Sequence, residues 1–131
     1  MNILDENIPI NQRQILRGWR ISVRQIGDEV GRAGMKDDEI LVLLRQLRRP
    51  TLFTRDLGFF DQRLCHRRYS IVCLAVERDE AALFTRRVLR HPDMSTQIQR
   101  MGSVLRVSQI GMNVWKLKAQ QEEFIDWSEG D

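Results

Sequence analysis

Three groups of acids, far apart in the chain, carry the side chains best suited to chemistry. Asp5-Glu6 follows the apolar pair Ile3-Leu4, and Asp37-Asp38-Glu39 opens an amphipathic run. Asp56 ends the stretch Leu52-Phe53-Thr54-Arg55-Asp56, which bends at Gly58 and offers Asp61 five residues later. Carboxylates gathered in one place repel, and they stay ionised together only beside a counter-charge. An all-oxygen set suits Mg²⁺ or Mn²⁺, which need few protein ligands and keep their waters. A cation so held activates water and neutralises charge that builds on a phosphodiester. Hydrolytic phosphoryl transfer is therefore the chemistry these residues point to.

The basic residues suit the same substrate. Net charge is +3 with a pI near 9.3, and only Lys36, Lys116 and Lys118 are lysines. The rest are arginines, whose planar fork grips phosphate bidentately. Arg63, His66, Arg67 and Arg68 follow the acidic turn, where they either line a nucleic-acid path or form a solvated face. Arg55 either meets substrate or steadies the neighbouring carboxylate. Phe59, Phe60 and Tyr69 either stack on bases or pack inside. Cys65 and Cys73 are too few for a disulfide framework and form no CxxC pair. With His66 and His91 as the only histidines, a structural zinc site is not expected.

The elements that must position the acids can be read from period and punctuation. A short strand runs to about residue 5, and a helix spans residues 8–17, with Asn7 as its cap, Pro9 in its first turn and Gly18 at its end. Trp19, Ile21 and Val23 alternate with polar residues and predict a strand. Three glycines in residues 27–34 predict a loop. Ile40, Leu43, Leu44 and Leu47 fall on one helical face, with arginines at its C-terminal end and Pro50 as the stop. Residues 51–54 form a strand, followed by a helical turn near 59–65. The run Ile71-Val72-Cys73-Leu74-Ala75-Val76 fits a strand buried on both faces. Helices follow over 80–90, capped by Asp79, and from Asp93 to about 100. Strands over 102–107 and 112–117 flank a turn and form a hairpin or late additions to the sheet. This order predicts an α/β fold, with a mostly parallel central sheet flanked by helices. Ligands sit at the carboxyl ends of the strands in such sheets, where Asp5, Glu6, Asp56 and Glu77 fall.

The 131 residues suffice for one domain with a sizeable core. The apolar content of 42% and charged content of 30% are those of an ordered globular chain. No apolar run approaches the ~18 residues of a membrane span, and the first residues lack a basic leader, so a cytoplasmic protein is expected.

Leu4-Asp5-Glu6-Asn7-Ile8-Pro9, Asp37-Asp38-Glu39-Ile40-Leu41 and Thr54-Arg55-Asp56 with Phe59 together resemble the small PIN-like nucleases, which are similar to the PIN-type toxins of toxin–antitoxin pairs. The likeness runs in order from residue 2 to about 90, about two-thirds of the chain. It implies a PIN-like domain over residues 1–118, an acidic tail over 119–131, and cleavage of RNA with Mg²⁺ or Mn²⁺. Asp5, Asp37 and Asp56 are the implied catalytic acids and metal ligands, with Asp38 as an alternative to Asp37. The family's T-x-D-x-D-F pattern carries a second Asp where this chain has Gly58, so that acid is either supplied by Asp61 or missing. The implied nucleic-acid contacts are Arg55, Arg63, Arg67 and Arg68, and a small antitoxin protein is an implied partner.

Two rival readings remain. Gly58 favours a PIN-like module that binds RNA or a protein without cutting. A receiver-like phosphorylation pocket would need a lysine at a late strand end, for which Lys116 and Lys118 are poor candidates. The alternation over 103–117 either closes a homodimer or finishes the sheet. The tail, with Phe124 and Trp127, is either a mobile terminus or a docking segment.

Overall fold

Ile3, Leu52, Ile71 and Val104 face one another across four parallel strands, and none of them is exposed to solvent. The next residue of each strand (Leu4, Phe53, Val72 and Leu105) forms a second row, equally buried, on the opposite face. Two buried faces require a layer of helices on each side, and the chain supplies them. A computed structural model describes residues 1–127. Its strands are β1 (Asn2–Leu4), β2 (Arg24–Gln25), β3 (Thr51–Thr54), β4 (Ser70–Leu74), β5 (Ser103–Ser108), β6 (Gly111–Lys116) and β7 (Glu123–Asp126). They form one seven-stranded sheet in the order β2-β1-β3-β4-β5-β6-β7. The first five are parallel, and β6 and β7 are antiparallel additions. The chain is thus α/β with a mostly parallel sheet, as the sequence predicts.

The helices are α1 (Ile10–Gly18), α2 (Asp37–Gln46), α3 (Ala81–Arg90) and α4 (Gln97–Arg100). Leu16 of α1 and Ala81, Ala82, Phe84 and Val88 of α3 pack on the Leu4–Phe53–Val72–Leu105 face. Ile40 and Leu44 of α2 cover the other face, beside Phe59, Cys65 and Tyr69 from the crossover between β3 and β4. That crossover is two 3-10 turns, Leu57–Phe59 and Gln62–Leu64.

The alternating stretch from Trp19 does not form the predicted strand. Gly18 is the last helical residue, and Arg20 takes the left-handed turn at φ 64°. The amides of Arg20 and Ile21 return to the carbonyls of Arg17 and Leu16, so they are spent on closing the helix. The Arg86 guanidinium lies 3.7 Å from the Trp19 ring centroid, which holds that ring beside α3. Only Arg24 and Gln25 reach the ladder. Two predicted caps also move. The 3-10 turn before α3 is closed by Glu80, whose carboxylate accepts from the Glu77 amide, in place of Asp79. Thr96, not Asp93, caps α4.

Of the two readings of the tail, docking is the one observed through residue 127. Phe124 and Ile125 pair with Asn113 and Met112. Trp127 is buried against Phe84, His91 and Arg87, and its indole N–H donates to the Ser108 carbonyl at 2.7 Å. The expected boundary at residue 118 therefore does not separate a tail from the sheet; residues 128–131 lie outside the described part. Among the described residues no helix is long and apolar enough to cross a membrane.

Candidate active site

From β1 the chain crosses to β2 on one side, then returns past β1 to form β3 on the other. The carboxyl ends of β1 and β3 therefore flank a topological switch point, where the connecting segments part and leave a crevice. Asp5 is the first residue past β1, and its amide extends the ladder by donating to the Phe53 carbonyl at 2.9 Å. Thr54 ends β3 directly alongside.

The Thr54 hydroxyl donates to Asp5 Oδ2 at 2.7 Å, and accepts from the Asp56 amide at 3.0 Å and from Asn7 Nδ2 at 3.2 Å. A hydroxyl has one proton and two lone pairs, so all its capacity is used and its proton is committed to Asp5. Asn7 completes the latch, because its Oδ1 accepts from the Arg55 amide at 3.1 Å. The Glu6 amide donates to Asp5 Oδ1 at 2.8 Å, so both Asp5 oxygens are oriented. Asn7 is thus a clamp between β1 and β3; the residue before α1 is Pro9, with no side-chain cap. Sequence reasoning missed both Asn7 and Thr54 as members of the site. The signals that could have found them were the Asp-Glu-Asn triplet, longer than a cap requires, and the Thr of Thr-x-Asp.

Asp56 caps the first 3-10 turn, its Oδ1 accepting from the Gly58 amide at 2.9 Å. Gly58 therefore serves Asp56 through its backbone. A Cβ at position 58 would stand 3.0 Å from Asp56 Oδ1, so a side chain there presses on that carboxylate. Asp37 begins α2 on the same rim, exposed, with Asp38 beside it.

The acids act on one another. Burial raises the Asp5 carboxyl above its ordinary range; the Thr54 and Glu6 bonds oppose this, and the charges of Asp56 and Glu6 add to it. Asp37 is also raised, by desolvation and then by Asp56, Asp5 and Asp38. Among the described residues no Lys, Arg or His lies within ion-pair distance of Asp5, Asp37 or Asp56. Neither protein-family models, nor curated proteins, nor solved structures offer a match to this chain.

Fit to a metal follows from the donors. They are oxygen-only, anionic and without a counter-cation, which is the chemistry a hard divalent ion satisfies. Among the described residues no three His, Cys, Asp or Glu side chains gather as a ready ligand group. What the rim offers is a pair of oriented carboxylates with a third in their field, which suits an ion that keeps most of its waters.

The remaining predicted residues fall elsewhere. Asp61 caps the second 3-10 turn and is paired with Arg63 at 2.7 Å, which holds its carboxyl below the usual range. Asp61 and Arg63 thus neutralise each other. Arg55 shares the rim with Asp56: its Nη2 donates to the Val76 carbonyl at 3.4 Å, and its buried Nε has no partner. Arg67 and Arg68 precede β4 and stand at the amino edge of the sheet, across from the acids, because the crossover has returned before they occur. Glu6 accepts from the Gly34 amide at 2.7 Å and anchors the glycine loop. Lys116 pairs with Ser103 at the amino edge of β5, so the receiver-like reading lacks its lysine at the acidic rim.

Proposed function

We propose that this chain is a PIN-like, Mg²⁺- or Mn²⁺-dependent ribonuclease that hydrolyses RNA phosphodiesters, in the manner of the toxin of a toxin–antitoxin pair. One observation carries the reading: Asp5, Asp37 and Asp56, in the order the resemblance implies, share one electrostatic field at the switch point, with no cationic group within ion-pair distance among the described residues. When bound, the ion supplies an activated water and neutralises charge on the phosphate. Asp5 and Asp56 would hold it, with Asp37 reaching the same rim from α2. Thr54 and the Glu6 amide keep the Asp5 oxygens aimed, so no reorientation is needed on binding. Arg55 flanks Asp56 and offers its guanidinium to a phosphate oxygen.

The test is cleavage of end-labelled RNA by wild type, Asp5→Asn and Asp56→Asn proteins in millimolar Mn²⁺. Loss of cleavage in both variants is expected; variants that cut as fast as wild type, free of contaminating nuclease, would sink the assignment. That no three-ligand group gathers among the described residues, together with Gly58, favours a second reading: a PIN-like module that binds RNA or an antitoxin-like protein without cutting. Thermal unfolding separates the two, since an ion that binds only the native state raises the melting temperature. A rise that Asp5→Asn abolishes supports the enzyme, and no rise in wild type supports the module.

A further inference from the structure

Five arginines gather at the edge of the sheet opposite the acidic rim. Arg45, Arg48 and Arg49 close α2 and the turn beyond it, and Arg67 and Arg68 lie in the turn before β4. With Gln46 and Leu47, these five arginines line one depression of about 450 Å³. The turn that carries Arg67 and Arg68 is built rather than loose. His66 Nδ1 accepts from the Arg68 amide at 3.1 Å, the His66 and Tyr69 rings stack at 5.1 Å, and the buried Tyr69 hydroxyl donates to the Leu64 carbonyl at 2.7 Å. Among the described residues none of the five arginines has a carboxylate within ion-pair distance. The charges of Arg45, Arg67 and Arg68 all act on His66, so the two segments share one positive field.

Guanidinium groups held together without acids need a ligand with several negative charges. Arginine forks match both phosphate and carboxylate, so the remaining lining decides between them. A protein partner is anchored by buried aromatic or aliphatic residues at the centre of its interface, whereas a nucleic-acid interface is polar, wet and strongly positive. Among the described residues that line it, Leu47 is the only apolar side chain and none is aromatic, so the lining itself offers no ring to stack a base. We propose that this basin binds the sugar-phosphate backbone of RNA, without reading sequence, on the edge of the molecule opposite the acids. That the polyanion is RNA rests on the nuclease reading; that it is a phosphodiester chain rests on the five arginines. Asp37 and Gln46 are the first and last of the ten residues of α2, about 14 Å apart along the helix, so the basin positions a strand and does not touch the reacting phosphate.

The experiment uses the full chain carrying Asp5→Asn, with chelator and no divalent metal, so that binding is measured apart from cleavage. A fluorescein-labelled single-stranded RNA is titrated by fluorescence polarisation across a range of salt concentrations. Arg45→Ala/Arg48→Ala and Arg67→Ala/Arg68→Ala should each weaken binding about tenfold and flatten the log–log salt slope by about 1.4, at about 0.7 per lost phosphate contact. The four Arg→Lys replacements should keep the slope but lose affinity, because charge remains while the fork is gone. Unchanged affinity and slope in both alanine pairs, with unchanged melting temperatures, would overturn the proposal. So would a poly-glutamate peptide that displaces the RNA at equal concentration and weakens in the same variants, since the occupant would then be an acidic protein segment. Protein that binds RNA through these arginines yet never cuts it would fail the nuclease reading alone. Protein that cuts through Asp5 but binds indifferently to the arginines would fail the basin alone.

Discussion

Replacing Thr54 by Val keeps the side-chain shape and removes the hydroxyl at the centre of the acidic rim. Three hydrogen bonds go with it, one to the Asp5 carboxylate at 2.7 Å and two received, from the Asp56 amide and Asn7. A bond to a charged group contributes about 1.5–3 kcal/mol, and a neutral one about 0.5–1.5 kcal/mol. The Asp56 amide and Asn7 lie at the rim, where water can replace part of their loss, so their share is discounted. Asp5 is buried and cannot recover in this way. The expected cost at pH 7 is about 2–4 kcal/mol, measured by urea denaturation without divalent metal. The Thr54 bond stabilises the ionised form of Asp5, so its loss pushes the already raised carboxyl further up. Once Asp5 is protonated that part of the cost vanishes, and the difference between variant and wild type should shrink towards about 1 kcal/mol near pH 4. Thr54→Ser keeps the hydroxyl and should recover most of the loss. A cost below about 1 kcal/mol at pH 7, or one that does not change with pH, would refute the latch.

Three further outcomes follow from other parts of the molecule. Trp127→Ala should cost about 3–5 kcal/mol in denaturant unfolding, because it empties a buried aromatic site over Phe84 and His91 and removes the indole hydrogen bond to the Ser108 carbonyl. Asp5 and Asp37 have folded pKa values above their unfolded ones, so the native state holds their protons longer. Stability should fall as pH rises from about 4, the unfolded value, through their raised folded values, and Asp5→Asn/Asp37→Asn should flatten this decline. Asp61 and Glu29 are lowered, so their contribution is lost only below about pH 4 and should persist in that double variant. Both thiols are buried and free, with Cys73 pushed up to about 12 and Cys65 raised by desolvation. Neither should react with an alkylating reagent at pH 8 in the native state, and both should react in urea.

What the sequence revealed, and what it hid, depends on how local each signal is. Residues 51–54, Ser70–Leu74 and the helix from Asp37 stood out because period, burial and the Pro50 stop agree within one segment. The strand order needs pairings between segments dozens of residues apart, yet the rule that ligands meet the carboxyl ends of parallel strands sufficed to place Asp5 and Asp56 on one rim. Asn7 was misread because an Asn before Pro9 is a good cap, and nothing local reveals that its amide reaches Thr54, 47 residues away. Arg67 and Arg68 follow the acids closely in sequence but not in space, since an irregular crossover shows no period by which to count its return. The stretch from Trp19 alternates as a strand does, but the closing of α1 takes its amides first. The four residues of β7 carry too many charges for a strand to be evident before β6 is seen beside it.

That last strand bears on how the molecule behaves among its own copies. A sheet with open ends is a template on which another chain can add a strand, and natural proteins blunt such ends with brevity and charge. β2, at one end, is only two residues long and includes the exposed Arg24. β7, at the other, is four residues with exposed Glu123 and Asp126. Between them lie the near-continuous apolar strands that would be hazardous if left uncovered. The exposed Glu123 thus acts as a guard: β7 covers β6 and sets a carboxylate beside any neighbour that would continue the sheet.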